Sequence, residues 1–276
     1  MNVYPIPPSL YQFPGNFRSL AVDLLKSDPI HRGEWQAMDV SMSKMHATHE
    51  LTDVTLWIPE IPRTQGELAV MVNPDLPWAE EHFGERVSGV PYNPAPSHVR
   101  WPYAVRSNAD HQPDGVQFDH TYPERFWPKR AGNGNGRDRM TWEITGNLGI
   151  RHNYGDLNDV VDMLKRNPAT RQAYLPVWFP EDTGGEAKRV PCTLGYHFMV
   201  DKYGLLGCRY YIRSCDIYRH LLNDIYMAAR LTQWICQQVN EGLEDRLNLR
   251  PGAMLMHISS LHAFVGDVKR IEKRFL

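Results

Sequence analysis

The sequence predicts an α+β fold, and three observations carry that reading. Strand-like and helix-like stretches are mixed along the chain without the regular βαβ alternation of a doubly wound sheet. Two apolar runs, "TLGYHFMV" and "LLGCRYYIRS", are joined through "DKYG", where Gly204 can take the positive φ of a tight turn, so they form a hairpin. From Asp216 onward, Ile217, Leu221, Leu222, Ile225, Ala228, Ala229, Leu231 and Ile235 recur at helical spacing and predict a helix of about six turns.

The remaining elements follow in chain order. Over roughly the first seventy residues prolines interrupt short apolar pieces, and "DVTLWIPEIP" is the strand among them, closed by its own prolines. "LPWAEEHFGERVSG" reads as a helix, with Trp78, His82, Phe83 and Val87 on its apolar positions and Gly89 as its stop. Prolines make "NPAPSHVRWP" a loop, while "AGNGNGRD" (131–138) and "EDTGGEAKR" (181–189) are exposed loops. Between those two, "GDLNDVVDMLKRNP" is a helix capped by Asp156 with Pro168 just past its end, and "RQAYLPVWF" is a strand. A last strand, "AMLMHISSLHAFV", and a last helix, "GDVKRIEKRF", complete the chain. No internal repeat divides it, and 276 residues can bury one large core, so residues 1–276 are expected to form a single domain.

Composition narrows the function. Hydrophobic residues make up 42% and charged ones 22%, which excludes disordered and fibrous classes. A net charge of −2 and the absence of a Lys/Arg block argue against nucleic acid or an anionic membrane as the main partner, although a small bound anion fits. No apolar run approaches the ~20 residues of a membrane span, and the N-terminus lacks a basic region followed by an apolar one, so a cytosolic protein is expected. Cys192, Cys208, Cys215 and Cys236 show no CxxC spacing; neither a metal site nor a disulfide framework is expected, and the thiols are free.

One of those thiols can be reactive. Cys192 follows Pro191 at the start of the first hairpin strand and Arg213 ends the second, so the turn brings a guanidinium close to the sulfur, which a thiolate nucleophile needs. The alternative is a buried thiol that only packs, and Cys215, two residues from the same arginine, is a second candidate. Arg213 and Ser214, with a helix start directly behind them, suit an anion; a salt bridge plus an N-cap is the plainer reading. His220 and Asp224 are four apart and share a helix face. With apolar neighbours on both sides, the Asp224 carboxylate is either a satisfied structural group or points into a ligand pocket.

In this order and at this spacing the features resemble the active-site signature of the thymidylate synthase family. That signature is Pro-Cys opening a strand, Arg-Ser-x-Asp some twenty residues later, a base-reading residue eleven positions past that Arg, and His-x-Tyr on a late strand. Here these are Pro191-Cys192, Arg213-Ser214-Cys215-Asp216, Asp224, and His262-Ala263-Phe264. The likeness is clear over 156–268, fair around 78–130 and weak before that. It implies a mixed β-sheet packed with helices, and homodimers joined sheet to sheet. It implies 5,10-methylenetetrahydrofolate as cosubstrate, with no metal. Cys192 would add to C6 of a pyrimidine ring and make C5 nucleophilic; Arg213 and Ser214 would hold the 5′-phosphate, Asp216 the pterin, and His262 the sugar hydroxyl. "LKRNPATRQ" resembles the segment that lends arginines to the partner subunit, pointing to Arg171, although Gln172 stands where a second arginine is common. "DHTYPERFW" puts Tyr122 at the family's active-site tyrosine. The catalytic glutamate falls within "WAEEHFGER": counting back from Phe83 favours Glu80, with Glu81 and Glu85 open.

Asp224 bears on the substrate. The family's uracil enzymes carry Asn there, whose amide accepts from N3–H and donates to O4, whereas cytosine presents a donor at N4 and an acceptor at N3. The Asn-Asp pair, together with Thr193 after the nucleophile, resembles the deoxycytidylate hydroxymethylase branch. There water, rather than a hydride from the folate, attacks the methylene carried on C5, giving 5-hydroxymethyl-dCMP. Phe264 in place of Tyr keeps a CMP hydroxymethylase of the nucleoside-antibiotic kind open. A one-residue slip to Asn223 keeps thymidylate synthesis from dUMP open, and a non-catalytic nucleotide-binding relative is the alternative from another class. A viral modified-DNA pathway in a host cytosol is one setting that such a product implies.

Overall fold

The computed structural model describes residues 2–6, 15–32, 34, 35, 38, 39, 44–103, 118–131, 154–183, 189–241 and 248–276. The glycine-rich loop at 131–138 lies outside them beyond Ala131, as does the middle of the 181–189 loop.

The hairpin forms the heart of the sheet. β6 (Thr193–Val200) and β7 (Leu205–Asp216) pair antiparallel, with Tyr196 opposite Tyr210 and Phe198 opposite Cys208. Their turn is closed by Gly204 at φ 75° and by the Asp201 side chain, which accepts from the backbone N–H of Tyr203 and Leu205. β8 (Arg250–Phe264) runs parallel to β7 and antiparallel to β4 (Thr48–Ile58). β1 (Asn2–Pro5) and β5 (Tyr174–Pro176) flank them, giving a mixed sheet in the order β1-β4-β8-β7-β6-β5. The two-residue strands β2 (Glu34–Trp35) and β3 (Met38–Asp39) pair apart from it.

Alternation sets the core. Val54, Leu56 and Ile58 of β4, Leu206, Cys208, Tyr210 and Ile212 of β7, and Met254, Met256 and Ile258 of β8 are all buried, and a period of two puts each set on one face. Helices cover the core: α1 (Gly15–Lys26), α2 (Gln65–Val72), α3 (Trp78–Val87), the short α4 (Tyr122–Phe126), α5 (Leu157–Arg166), α6 (Leu221–Asn240) and α7 (Val268–Phe275). α6 is buried along most of its length and touches β7, β8, α2, α3 and α5. The expected α+β class, a mixed sheet packed with helices, is what the chain adopts. No described helix is long and apolar enough to cross a membrane.

Three elements differ from expectation. The long helix starts at Leu221 rather than Asp216, because β7 runs on beside β8, pairing Cys215 with Leu261 and Asp216 with His262, and residues 217–220 then turn the chain. The helix N–H groups are therefore not directly behind Arg213 and Ser214. The strand at 171–179 shrinks to Tyr174–Pro176, where proline has no N–H for a ladder. The proline-rich N-terminal region contains α1, which buries Phe17, Leu20, Ala21 and Leu24 at helical spacing, and α2, held by a Thr64/Glu67 capping box.

α4 carries a cavity residue and is pinned from behind. Arg125 donates two hydrogen bonds to Asp182, at 2.8 and 2.7 Å, and Asp182 also accepts from the Phe179 N–H at 2.7 Å, all of it buried. Removing one partner leaves a buried guanidinium without its counter-ion. Asp182→Ala is therefore expected to cost about 3–5 kcal/mol in a urea melt, and a loss under about 1 kcal/mol would show the pair to be solvated instead.

Candidate active site

The start of β6, the end of β7, the first turn of α6, α3 and the segment leading into α4 enclose a cavity of about 240 Å³. Cys192, Ser214, Asp224 and Tyr122 all line it, joined by Trp78, His82, Arg86, Trp101, Arg189 and Asn223 among others.

Cys192 is fixed by the register of the hairpin. Its carbonyl accepts from the Arg213 N–H at 2.9 Å, and the Arg213 guanidinium donates from Nε to the Pro191 carbonyl at 3.0 Å and from Nη2 to that of Val190 at 3.1 Å. Burial pushes the Cys192 thiol above its ordinary value; Arg213 and Arg189 pull against that, and Asp224 adds to it. Arg213 itself stands behind Val190 and Pro191 rather than on the cavity wall, which presents Arg189 and Ser214. Cys208, Cys215 and Cys236 are buried, at most 4% exposed, so Cys192 is the accessible thiol.

Asp224 sits in the first turn of α6, facing the cavity. Burial raises its carboxyl to about 7, with Arg86 and the Cys215 thiol, which donates to Oδ2 across 3.8 Å, acting to lower it. Neighbouring Asn223 is committed elsewhere. Its amide oxygen accepts from the Asp75 N–H at 2.9 Å, and its NH₂ donates to the Asp75 carboxylate at 2.9 Å and the Arg219 carbonyl at 3.2 Å. The Tyr122 ring lies 4.0 Å beneath the Arg86 guanidinium, and burial holds its hydroxyl firmly protonated. Thr193 is fully buried behind that ring: its hydroxyl donates to Tyr122 Oη at 3.1 Å and shares a 2.9 Å hydrogen bond with Tyr210. It stands behind the wall and is not among the residues that line the cavity.

The three candidate glutamates of α3 lie off the cavity wall. Trp78, His82 and Arg86, four apart, form the stripe that meets the cavity, while Ala79 and Phe83 turn into the core. Glu80 is off that stripe and is bound by Arg230 at 2.7 and 3.0 Å and by the Tyr226 hydroxyl at 2.8 Å. Glu81 is on the surface, paired with Arg100 at 2.8 Å. Glu85 stands behind His82, whose Nδ1 it meets at 3.2 Å.

Two further assignments move off the wall. Asp216 accepts from the N–H groups of Tyr218 and Arg219 and pairs with the Arg219 guanidinium, so its buried carboxylate fastens the 217–220 turn. His262 lies behind Ser214, with Nδ1 3.5 Å from the serine hydroxyl. Arg171 is exposed just before β5, and its carbonyl meets His197 Nε2 at 2.9 Å.

The cavity is rich in donors. Among the described residues, the Trp78 and Trp101 indole N–H groups and Arg86 Nε are buried without a hydrogen-bond partner, and all three residues line it. Buried donors are paired in the great majority of cases, so a ligand with several acceptors fits this wall.

The sequence of residues 116–275, more than half of the chain, matches the family model described as thymidylate synthase. The chain belongs to that family. Similar members are the thymidylate synthases of Rhodopseudomonas palustris (strain BisA53), 26% identical over 121 residues, and Sphingopyxis alaskensis, 33% identical over 87 residues. These matches cover 44% and 32% of this chain, and 38% and 28% of the two relatives. The thymidylate synthase of Buchnera aphidicola subsp. Baizongia pistaciae is 28% identical over 120 residues, 44% of this chain and 42% of that protein. The chain thus spans well under half the length of the relatives that it matches.

Within the family fold, the wall residues that the sequence does not single out for chemistry include His82, Arg86, Trp78, Trp101 and Arg189, with His98, Asp119 and His120. A Trp-x₃-His-x₃-Arg stripe on one helix was the available signal for three of them. Arg189 and Trp101 lie in loops, where no periodicity marks direction.

Proposed function

We propose that this protein transfers a one-carbon unit from 5,10-methylenetetrahydrofolate to C5 of a cytosine nucleoside 5′-monophosphate, dCMP first, and adds water to give the 5-hydroxymethyl nucleotide. The observation that carries this reading is that Asp224 faces the same cavity as Cys192, while the Asn223 amide is held by Asp75.

A carboxyl group near its midpoint at pH 7 can share one proton with a ring nitrogen. Cytosine N3 is basic and can carry that proton when Asp224 does not, leaving the other carboxyl oxygen to accept from N4–H. Uracil O4 has no such basicity, so an ionised Asp224 leaves it facing a carboxylate. The Cys192 thiolate, favoured by Arg213 and Arg189, would add to C6 and place the electron pair at C5. Ser214 and Arg189, with Arg213 behind them, suit the 5′-phosphate. The acceptor-seeking indoles of Trp78 and Trp101 suit a flat second heterocycle, and methylenetetrahydrofolate when bound supplies a carbon at the oxidation level of formaldehyde. The reading carries a two-fold dimer in which exposed Arg171 is offered to the other subunit's phosphate site.

The relatives from Rhodopseudomonas palustris, Sphingopyxis alaskensis and Buchnera aphidicola bear the name thymidylate synthase, which favours methylation of dUMP as a second reading. Incubation with methylenetetrahydrofolate and dCMP, CMP or dUMP, followed by mass analysis, separates the two. The expected product gains CH₂O and leaves tetrahydrofolate. A gain of CH₂ on dUMP with dihydrofolate formed would establish the second reading, and binding without turnover would mark a non-catalytic relative.

A further inference from the structure

Every acid on α3 is turned from the cavity or locked behind its wall, yet the same helix presents an imidazole to it. His82 stacks on Trp78, ring centroids 5.2 Å apart, and lines the cavity. Its Nδ1 lies 3.2 Å from both Glu85 Oε2 and the Ser97 hydroxyl oxygen, and Glu85 is fixed in turn by the Ser97 N–H at 2.6 Å and by the Ser97 hydroxyl, which donates to it at 2.5 Å and so can only accept from the ring. Burial alone would raise the Glu85 carboxyl, but the hydrogen bonds from His82 and Ser97 bring it below its ordinary value, so it is an anion at neutral pH. A carboxylate on Nδ1 fixes the Nδ1–H tautomer and leaves the Nε2 lone pair open; Nε2 makes no hydrogen bond among the described residues.

We infer that His82, oriented by Glu85, accepts the proton of the water molecule that completes hydroxymethyl transfer. The inference rests on the proposed function above. In that step the water oxygen bonds to the CH₂ carbon carried on C5. The CH₂=C5 electron pair moves to form C5=C6, the C6–S bond breaks with its pair on the Cys192 sulfur, and the water proton goes to His82 Nε2. The imidazolium then gives that proton to the Cys192 thiolate. Electrons balance without oxidant or reductant.

The other cavity histidines are less suited. Nδ1 of His98 meets the Ala95 carbonyl at 2.9 Å and that of His120 the Arg189 carbonyl at 3.2 Å, neutral acceptors that stabilise an imidazolium less than a carboxylate does, and the ring of the third, His220, has no carboxylate hydrogen-bonded to it among the described residues. Burial, with Arg86 nearby, lowers His82 to about 4 against the pull of Glu85. The ring is therefore a neutral, modest base, and its effect belongs at the lower end of general-base catalysis.

His82→Asn is expected to lower kcat for hydroxymethyl product roughly 10²–10³-fold with the dCMP Kd changed less than about threefold. In His82→Gly, added imidazole should restore part of that rate. Nitrogen NMR of the unliganded protein should show the Nδ1–H tautomer down to about pH 4, and Glu85→Gln should disturb it. Full activity of His82→Asn, loss of nucleotide binding in step with activity, absence of imidazole rescue, or an Nε2–H tautomer in the native protein would each overturn the role of His82. A native protein that makes no hydroxymethyl product from dCMP or CMP would overturn the functional reading as well, an outcome distinct from an active native protein with an unimpaired His82 variant.

Discussion

Cys192→Ser is expected to lower turnover by roughly 10⁴-fold or more, the scale seen when an enzyme loses its nucleophile, while nucleotide binding and thermal midpoint stay close to native. The side chain does little for the fold. It is partly accessible, makes no hydrogen bond of its own among the described residues, and borders the core from the cavity side, whereas the backbone that fixes it pairs with Arg213 through atoms the substitution leaves in place. A serine hydroxyl fits the same space but cannot become an anion near neutral pH. An independent readout is alkylation. With the other three thiols buried, iodoacetamide should label the folded protein once per chain, and the serine variant not at all. Because burial lifts the thiol above its ordinary value, labelling should accelerate as pH rises through 8 and beyond, in proportion to thiolate. Retained turnover in Cys192→Ser would end the covalent mechanism.

The parts of the site that the sequence made legible are those fixed by local geometry. The hairpin brings the start of its first strand beside the end of its second, and so Cys192 beside Arg213, with a one-residue register shift between Thr193 and Gly195 setting the final pairing; the helical period puts His220 and Asp224 on one face. Direction across the molecule is what a sequence withholds. On α3 the helix itself was evident, but three glutamates, a histidine and an arginine are all compatible with a wet face. Only the core's capture of Ala79 and Phe83 decides that His82 and Arg86 turn to the cavity while Glu80 turns to Arg230. Asp216 is turned from the wall by neighbours two and three residues on, because its carboxylate closes the 217–220 turn and binds Arg219, while Thr193 is held behind the wall by Tyr122 and Tyr210, distant in sequence. α1 shows a different loss: its apolar spacing is regular, yet prolines on both sides mask it in a reading guided by chain breakers.

Asp224→Asn is expected to shift the ratio of kcat/KM for dCMP over dUMP by roughly 10²–10⁴-fold towards dUMP, the range that mispaired buried polar groups produce. The reason lies in one proton. With the carboxyl raised to about 7, the native site at neutral pH holds acid and carboxylate in comparable amounts, and either form pairs with cytosine once N3 or Asp224 carries the proton. Above pH 7 that proton must be taken up on binding, so dCMP affinity should fall by up to about tenfold per pH unit, in a range where the phosphate is already a dianion. An asparagine needs no proton, and its affinity should be flat over the same range. The substitution also removes the negative charge that pushes the Cys192 thiol up, so the variant should be alkylated several-fold faster than native protein at pH 8, where Asp224 is ionised, and with little difference at pH 6, where it is not. Steric change alone would alter both pH values alike. Equal alkylation rates at pH 8, together with an unchanged base preference, would separate Asp224 from both the sulfur and the pyrimidine and leave Asn223, despite its bonds to Asp75, as the residue that reads the base.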